Sequence, residues 1–185
     1  MMRSPVQIEA YAIVSEDGML VDAQGNMLPS LRIDADQQFF ASGLNAADIV
    51  VQGQEKLAHS ATCRRIIVTG SIPGVAPVPS NDSEVNWNPE GAPFEKAMAL
   101  FAAPNRSVAE IGGPCVFEFL LGLYDVFYLS RVTKFRLPGG WPIFRGVSAR
   151  TPEAVLADRG LDNPEHEGVD TAHGLTITAW QRSEF

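Results

Sequence analysis

The 185-residue chain is poor in the residues that build metal sites and disulfide frameworks, with two cysteines and three histidines. Cys63 and Cys115 lie far apart, without CxxC spacing or a secretory leader pattern, so reduced core thiols are expected. His59, His166 and His173 show no metal-ligand spacing, and no metal is expected. Positive charge is scarce as well. Fourteen Lys and Arg stand against 22 Asp and Glu, a formal net charge of −8, and the pI is about 4.8. That balance offers no basic field to gather nucleic acid or an anionic membrane surface. Long apolar runs are also missing. Nothing in the chain approaches the roughly 20 apolar residues that cross a bilayer, and MMRSPVQIEAYAIV has too short an apolar stretch for a signal peptide. A soluble cytoplasmic protein with a small-molecule partner is the expectation.

What the chain does hold is enough apolar material for a core: 45% of its residues are hydrophobic, and its length suits a single domain over 1–185. Residues 6–14 (VQIEAYAIV), 48–52, 65–69, 107–111 and 125–132 (DVFYLSRV) are short and rich in β-branched or aromatic residues, which predicts strands. Residues 35–44, 54–60, 93–103 and 114–122 carry helix formers with apolar spacings of three and four, which predicts helices. Asp34 or Asp36 is placed to cap the first of these, and Pro93 and Pro114 fall where a first-turn proline loses no hydrogen bond. Alternating strands and helices imply an α/β fold whose mainly parallel sheet is covered on both faces. Residues 71–93 and 134–174, rich in Pro, Gly, Asn and Asp, are expected to be irregular, with LTITAWQR at 175–182 adding strand pairing at a sheet edge.

In open α/β sheets, ligands bind beyond the carboxyl ends of strands, where helix N-termini present free N–H groups. VAEIGGPCVFEFLLGLYDVFYLSRV at 108–132 supplies such a place: a strand, Gly112-Gly113, then a helix from near Pro114. On the residues alone, a tight turn explains that glycine pair as well as a phosphate site does. VVQGQEK at 50–56 forms a second strand–Gly–helix junction at Gly53, and two junctions on neighbouring strands would suit an extended dinucleotide. Residues 15–40 form a long polar connection of the kind that builds binding loops, and within it Asp36 precedes Phe39 and Phe40. A carboxylate facing an apolar pocket accepts hydrogen bonds from the edge of a heterocycle; the commoner role at this position is a solvent-facing charge at a helix start.

Taken in order, these segments resemble the dihydrofolate reductase superfamily, including the reductase domain of bacterial riboflavin biosynthesis. AIVSEDGML at 12–20 is similar to the family's first strand and the loop after it, and GNMLPSLRIDADQQFF at 25–40 to its Leu-Pro segment and Asp-x-x-x-Phe. IVVQGQEK at 49–56 stands where dihydrofolate reductases carry a Met-Gly-Arg-x-Thr-like motif, and RRIIVTGSIPG at 64–74 resembles the next strand and its phosphate-binding turn. The 108–132 segment matches the Ile-Gly-Gly motif, helix and following strand; LPGGWPIF at 137–144 is similar to the Pro-Gly-Gly-x-Pro-Leu-Phe stretch of the riboflavin branch, as is Asp125 at the head of its strand.

The resemblance covers about residues 6–147 and implies a mixed, mostly parallel sheet of about eight strands with helices on both faces. It also implies an NADPH-dependent reductase. Ile111, Gly112 and Gly113, with the backbone of Pro114, Cys115, Val116 and Phe117, would meet the cofactor's pyrophosphate, and Ala12 and Ile13 would lie near the nicotinamide. Gly53 and Gln54 would flank the cofactor at the second junction, and Thr69 and Ser71 correspond to the turn that contacts the adenosine 2′-phosphate. Asp36 would be the catalytic acid, with Met19, Leu31 and Phe40 on the substrate side. A homodimer is implied too, since the riboflavin branch commonly dimerises.

Departures keep several alternatives open. Gly53-Gln54-Glu55-Lys56 lacks the arginine that grips the 2′-phosphate, which leaves Lys56, Arg64 or Arg65 to replace it and NADH not excluded. Ser30 stands where a tryptophan follows Leu-Pro, and Met19 where the riboflavin branch has a basic residue after Asp-Gly. A ribosylaminopyrimidine is favoured as substrate. A pterin, or a non-catalytic nucleotide-binding protein that keeps the fold, are the alternatives. Trp141 is expected to be a loop anchor or interface residue, Tyr124, Phe127 and Tyr128 to pack on a strand, His59 to lie at the surface or at a helix cap, and the acidic stretch 161–170 to be a solvated loop.

Overall fold

The computed structural model describes residues 6–54, 63–101, 107–144 and 150–183. The first third of the chain forms β1 (Gln7–Ser15), β2 (Met19–Val21), a 3-10 turn at Pro29–Leu31, α1 (Asp34–Ala46) and β3 (Ile49–Gln52). β4 (Arg64–Val68), β5 (Val75–Val78), β6 (Asn81–Trp87), α2 (Phe94–Met98), β7 (Ser107–Glu110) and α3 (Pro114–Phe119) follow. β8 (Val126–Val132), β9 (Trp141–Pro142), α4 (Pro152–Asp158), β10 (Leu161–Asp170) and β11 (Leu175–Arg182) complete the order.

Nine strands form one sheet in the order β10-β11-β8-β1-β7-β3-β4-β6-β5, and β2 pairs with β9 in a small second sheet. β1 runs parallel to both β7 and β8, and β3 parallel to both β7 and β4. Antiparallel pairs stand at the two sides, β5 on β6 and β11 between β8 and β10.

Alternation along β1 explains how the sheet is clothed. Ile8, Ala10, Ala12 and Val14 enter the larger core cluster with Phe94 of α2, Val116 and Phe117 of α3, and Leu156 of α4. Tyr11 and Ile13 point the other way, into two smaller clusters with Leu44 of α1 and with Leu31. Successive side chains of a strand take opposite faces, so α1 covers one face and α2, α3 and α4 the other. The fold is therefore mixed α/β with a large, mostly parallel central sheet, as the resemblance implied, with nine strands in place of about eight.

Several local expectations need correction. Residues 71–93 are not irregular throughout, because β5 and β6 form an antiparallel pair there, with Val85 and Trp87 buried and the Trp87 indole donating to Ala92 O at 2.8 Å. The acidic stretch 161–170 is not a loop: it is β10, paired antiparallel with β11, though most of its side chains are exposed. Neither Asp34 nor Asp36 caps α1, whose N-cap is Ile33 in extended backbone with no side-chain hydrogen bond. The helix expected over 54–60 falls almost wholly outside the described residues, as do Lys56 and His59; that expected over 93–103 is helical at Phe94–Met98.

Candidate functional site

The sheet order brings both glycine junctions to one place. β3 and β7 are parallel neighbours, with Val51 opposite Glu110; Gly53 follows β3 directly, and Gly112 follows β7 after Ile111. A Cβ on Gly53 would lie 3.7 Å from Val116 Cγ2, so Gly53 abuts the first turn of α3. A Cβ on Gly112 would sit 2.3 Å from Val116 Cβ and 2.7 Å from Glu110 Oε1, a space that admits no side chain. At Gly113 nothing lies within 4 Å of the same position, and the backbone is extended (φ −78, ψ −174). Gly112 is therefore required by packing, whereas Gly113 leaves an open approach to the backbone.

The backbone donors of this turn are partly spent. Gly112 N–H donates to Glu110 Oε1 at 2.6 Å, and the Val116 and Phe117 N–H groups both return to Gly113 O. Pro114 has no N–H, so an incoming anion would meet this turn at the open face of Gly113. Val116 and Phe117 bury their side chains in the core, and Pro114 and Cys115 open α3. Ile111 is half-buried and donates its N–H to Val51 O at 3.0 Å, binding the end of β7 to β3.

A second group gathers beside Gly53. Gln54 Nε2 donates to Thr69 Oγ1, and the same oxygen accepts from Ser71 N–H at 3.1 Å, so three residues assigned to the cofactor meet in one hydrogen-bonded turn. Arg65 lies 3.7 Å from Glu84, and Arg64 sits over the Phe101 ring at 5.7 Å.

Across β1, on the α1 face, lie the residues expected on the substrate side. Ala12 and Ile13 pair with Leu129 and Ser130 of β8, and Ser130 is buried. Burial raises Asp36 above the ordinary carboxylate range, and a hydrogen bond from the Ser130 side chain opposes that rise. Asp36 is half-buried, on the side of α1 that faces Ser130 of β8. Met19 and Phe39 pack against the cluster of Ile13 and Leu31, while Phe40 packs against Tyr11. Leu31, at 1% exposure, is a core residue of this wall.

The SEDGML loop and the LPGGWPIF segment, remote in sequence, are fastened together. Ser15, fully buried, donates to Asp17 Oδ1 at 2.6 Å and accepts from Met19 N–H at 3.0 Å, while Asp17 Oδ1 accepts from Leu137 N–H at 2.9 Å. Slight burial works against Asp17 ionisation, but the Ser15 and Leu137 hydrogen bonds hold its carboxyl below the usual range. Met19 and Val21 pair with Pro142 and Trp141, and the Trp141 ring would stand 3.2 Å from a Cβ on Gly25, a loop anchor as expected. Asp125 accepts from Ile8 N–H at 2.9 Å and joins β1 to the head of β8.

Ser130, Glu110 and Tyr124 stand next to the expected site residues, and the sequence reading gave none of them a role there. Ser130 had a signal: in DVFYLSRV it is the hydroxyl that follows Tyr128 on one face of a buried strand. Glu110 had none, since a carboxylate at a strand end reads as a surface charge. Among the described residues, no group of His, Cys, Asp and Glu could hold a metal, and no helix is long and apolar enough to cross a membrane.

No family model matches the chain, and no curated protein matches it either. Solved structures do. A protein assigned to riboflavin biosynthesis in Shewanella sp. PV-4 superposes with a TM-score of 0.64 at 16% identity, over 97% of this chain and all of the other. The Thermotoga maritima diaminohydroxyphosphoribosylaminopyrimidine deaminase/5-amino-6-(5-phosphoribosylamino)uracil reductase superposes at 0.64 and 15% identity, over 96% of this chain and 57% of that one. Dihydrofolate reductase from Enterococcus faecalis, complexed with NADP(H) and RAB-propyl, gives 0.61 at 14% identity, over 96% and 97%. The chain has the dihydrofolate reductase-like fold.

Proposed function

We propose that the protein is a nicotinamide-dependent reductase that delivers a hydride from NADPH to a ribosylaminopyrimidine. The observation that carries this is the side-by-side placement of the Gly53 and Gly112-Gly113 junctions at the ends of the neighbouring strands β3 and β7, with the open face at Gly113. Such a row accepts an extended dinucleotide, and a cradle that a Cβ would fill is what close backbone approach to a pyrophosphate requires. NADPH supplies the hydride when bound; the protein supplies position, a dry wall and a proton.

In that division of labour Gly113 and the Gln54–Thr69–Ser71 turn hold the cofactor's phosphates, and Ile13 borders its reactive ring. Asp36, whose carboxyl is raised above its ordinary range by burial and which stands by Ser130, is the group that passes a proton to the substrate in this reading. The pinned contact between the SEDGML loop and LPGGWPIF, both matched to the riboflavin branch, favours the pyrimidine. A pterin is the second reading, favoured by the burial of Asp36 near Phe40. Arg64 and Arg65 are engaged by Phe101 and Glu84, which supports allowing NADH alongside NADPH.

Mixing the protein with NADPH and 5-amino-6-(5-phosphoribosylamino)uracil, and following nicotinamide absorbance, tests the proposal. Consumption is expected with this substrate and not with dihydrofolate. Binding of NADPH without turnover on either substrate points to the non-catalytic alternative, and no binding of either nicotinamide refutes the reading.

A further inference from the structure

Behind the Gly112-Gly113 turn lies a side chain that the proposed chemistry does not use. Glu110, the last residue of β7, is fully buried, and its two oxygens have separate partners. Oε1 accepts from Gly112 N–H at 2.6 Å, and Oε2 lies 2.7 Å from the Tyr124 hydroxyl. The same hydroxyl lies 2.9 Å from Phe117 O in α3.

Counting protons decides the arrangement. A carbonyl oxygen only accepts, and a phenol has one hydrogen to give. Both contacts of Tyr124 are hydrogen bonds only if the phenol donates to Phe117 O and the carboxyl of Glu110 donates to the phenol oxygen. We propose that Glu110 is a positioning acid: its proton, given to Tyr124, ties β7, the Gly112-Gly113 turn and α3 together in the form that receives an anionic dinucleotide.

The surroundings agree. β1 and β3 set Ala10 and Val51 beside Glu110, and Tyr124 is the titratable side chain acting on it. Among the described residues no cation compensates, and burial outweighs what the Tyr124 hydroxyl and the Gly112 N–H offer the ionised carboxyl, pushing it up to about 8. Tyr124 is raised well above its ordinary value, again by burial first, and stays a phenol.

Loss of the proton would act twice in one direction. Tyr124 would have to turn its hydrogen to the carboxylate and withdraw it from Phe117 O. A buried negative charge would also stand directly behind the turn that meets a pyrophosphate. This inference rests on the dinucleotide reading of the site, so its test has one arm that needs no ligand.

Infrared spectroscopy of the wild type should show a protonated-carboxyl band at neutral pH that fades on titration and is missing from Glu110→Gln. The amide of Glu110→Gln can donate to Tyr124 and accept from Gly112 N–H without titrating. Calorimetric NADPH affinity should weaken about tenfold from pH 7 to 9 in the wild type, as the competent fraction falls, and stay flat in Glu110→Gln. Absence of the Glu110 band at pH 7, or parallel loss of affinity in both proteins, overturns the proposal. A protein that shows the band yet binds NADPH at no pH refutes the dinucleotide reading and the ligand half of the inference, while the proton half stands.

Discussion

Adjacent glycines should respond in opposite ways to the same added methyl group. In Gly112→Ala the new Cβ meets Val116 Cβ at 2.3 Å, Val116 Cγ1 at 2.5 Å and Glu110 Oε1 at 2.7 Å. None of these is the loose end of a flexible side chain: Val116 is fixed in the first turn of α3, and Glu110 is held by two hydrogen bonds. Overpacking of this kind costs about 1–3 kcal/mol, and for a domain of this size each kcal/mol lowers Tm by roughly 2–4 °C. Gly112→Ala should therefore melt roughly 2–12 °C below the wild type. In Gly113→Ala the methyl enters open space on backbone that any residue adopts, so the free protein should be unchanged or gain about 0.4–1 kcal/mol through the unfolded chain. The same methyl occupies the approach to the turn, and NADPH affinity should fall at least about tenfold, or ~1.4 kcal/mol. Scanning fluorimetry and calorimetry on the two variants read both effects. Gly113→Ala binding NADPH as tightly as the wild type, or melting below Gly112→Ala, would refute the assignment of roles.

Asp36→Asn should lower turnover by roughly 10²–10⁴-fold while leaving NADPH affinity unchanged, measured by steady-state kinetics and calorimetry. Ser130→Ala removes a hydrogen bond that favours the ionised Asp36, so the Asp36 limb of the pH–rate profile should move to higher pH; a shift to lower pH would show that Ser130 does not act on Asp36. Because Glu110 is raised when folded, the folded state keeps a proton that the unfolded chain releases near 4.5. Stability is thus greatest below pH 4.5 as far as this group is concerned and declines through about pH 8. Chemical denaturation across that window should show the decline in the wild type and its absence in Glu110→Gln. Ser15→Ala leaves Met19 N–H without its acceptor and Asp17 with one donor fewer, and should cost about 1–3 kcal/mol in urea denaturation.

Strands β1 and β8 were legible in the sequence because buried strands need β-branched and aromatic residues on both faces, a pattern that VQIEAYAIV and DVFYLSRV display, and β11 because LTITAWQR alternates buried with part-buried positions. β10 was hidden for the opposite reason. Its side chains are mostly in water, so LDNPEHEGVD carries no alternation and only Leu161 is fully buried. The β5–β6 pair was masked by the prolines and glycines of 71–93, although Val85 and Trp87 keep the two-residue spacing of a strand. The glycine junctions were visible as local chemistry, but their adjacency depends on β3 lying beside β7, a long-range pairing that local patterns do not encode. The orientation of Asp36 was undecidable for the same reason, because its partner Ser130 arrives on β8 from a distant part of the chain.

The two borders of the sheet limit how copies of this protein can meet. One border is β10, where Asp162, Glu165, Glu167 and Asp170 line up with Pro164 and the pairing with β11 slips twice. The other is β5, four residues long and interrupted by Pro77. Crowded negative charge, irregular register and a missing N–H donor each discourage a further strand from adding on. Growth of the sheet from molecule to molecule is thereby disfavoured at both ends, so a homodimer through a face of the molecule is favoured over one that extends the sheet.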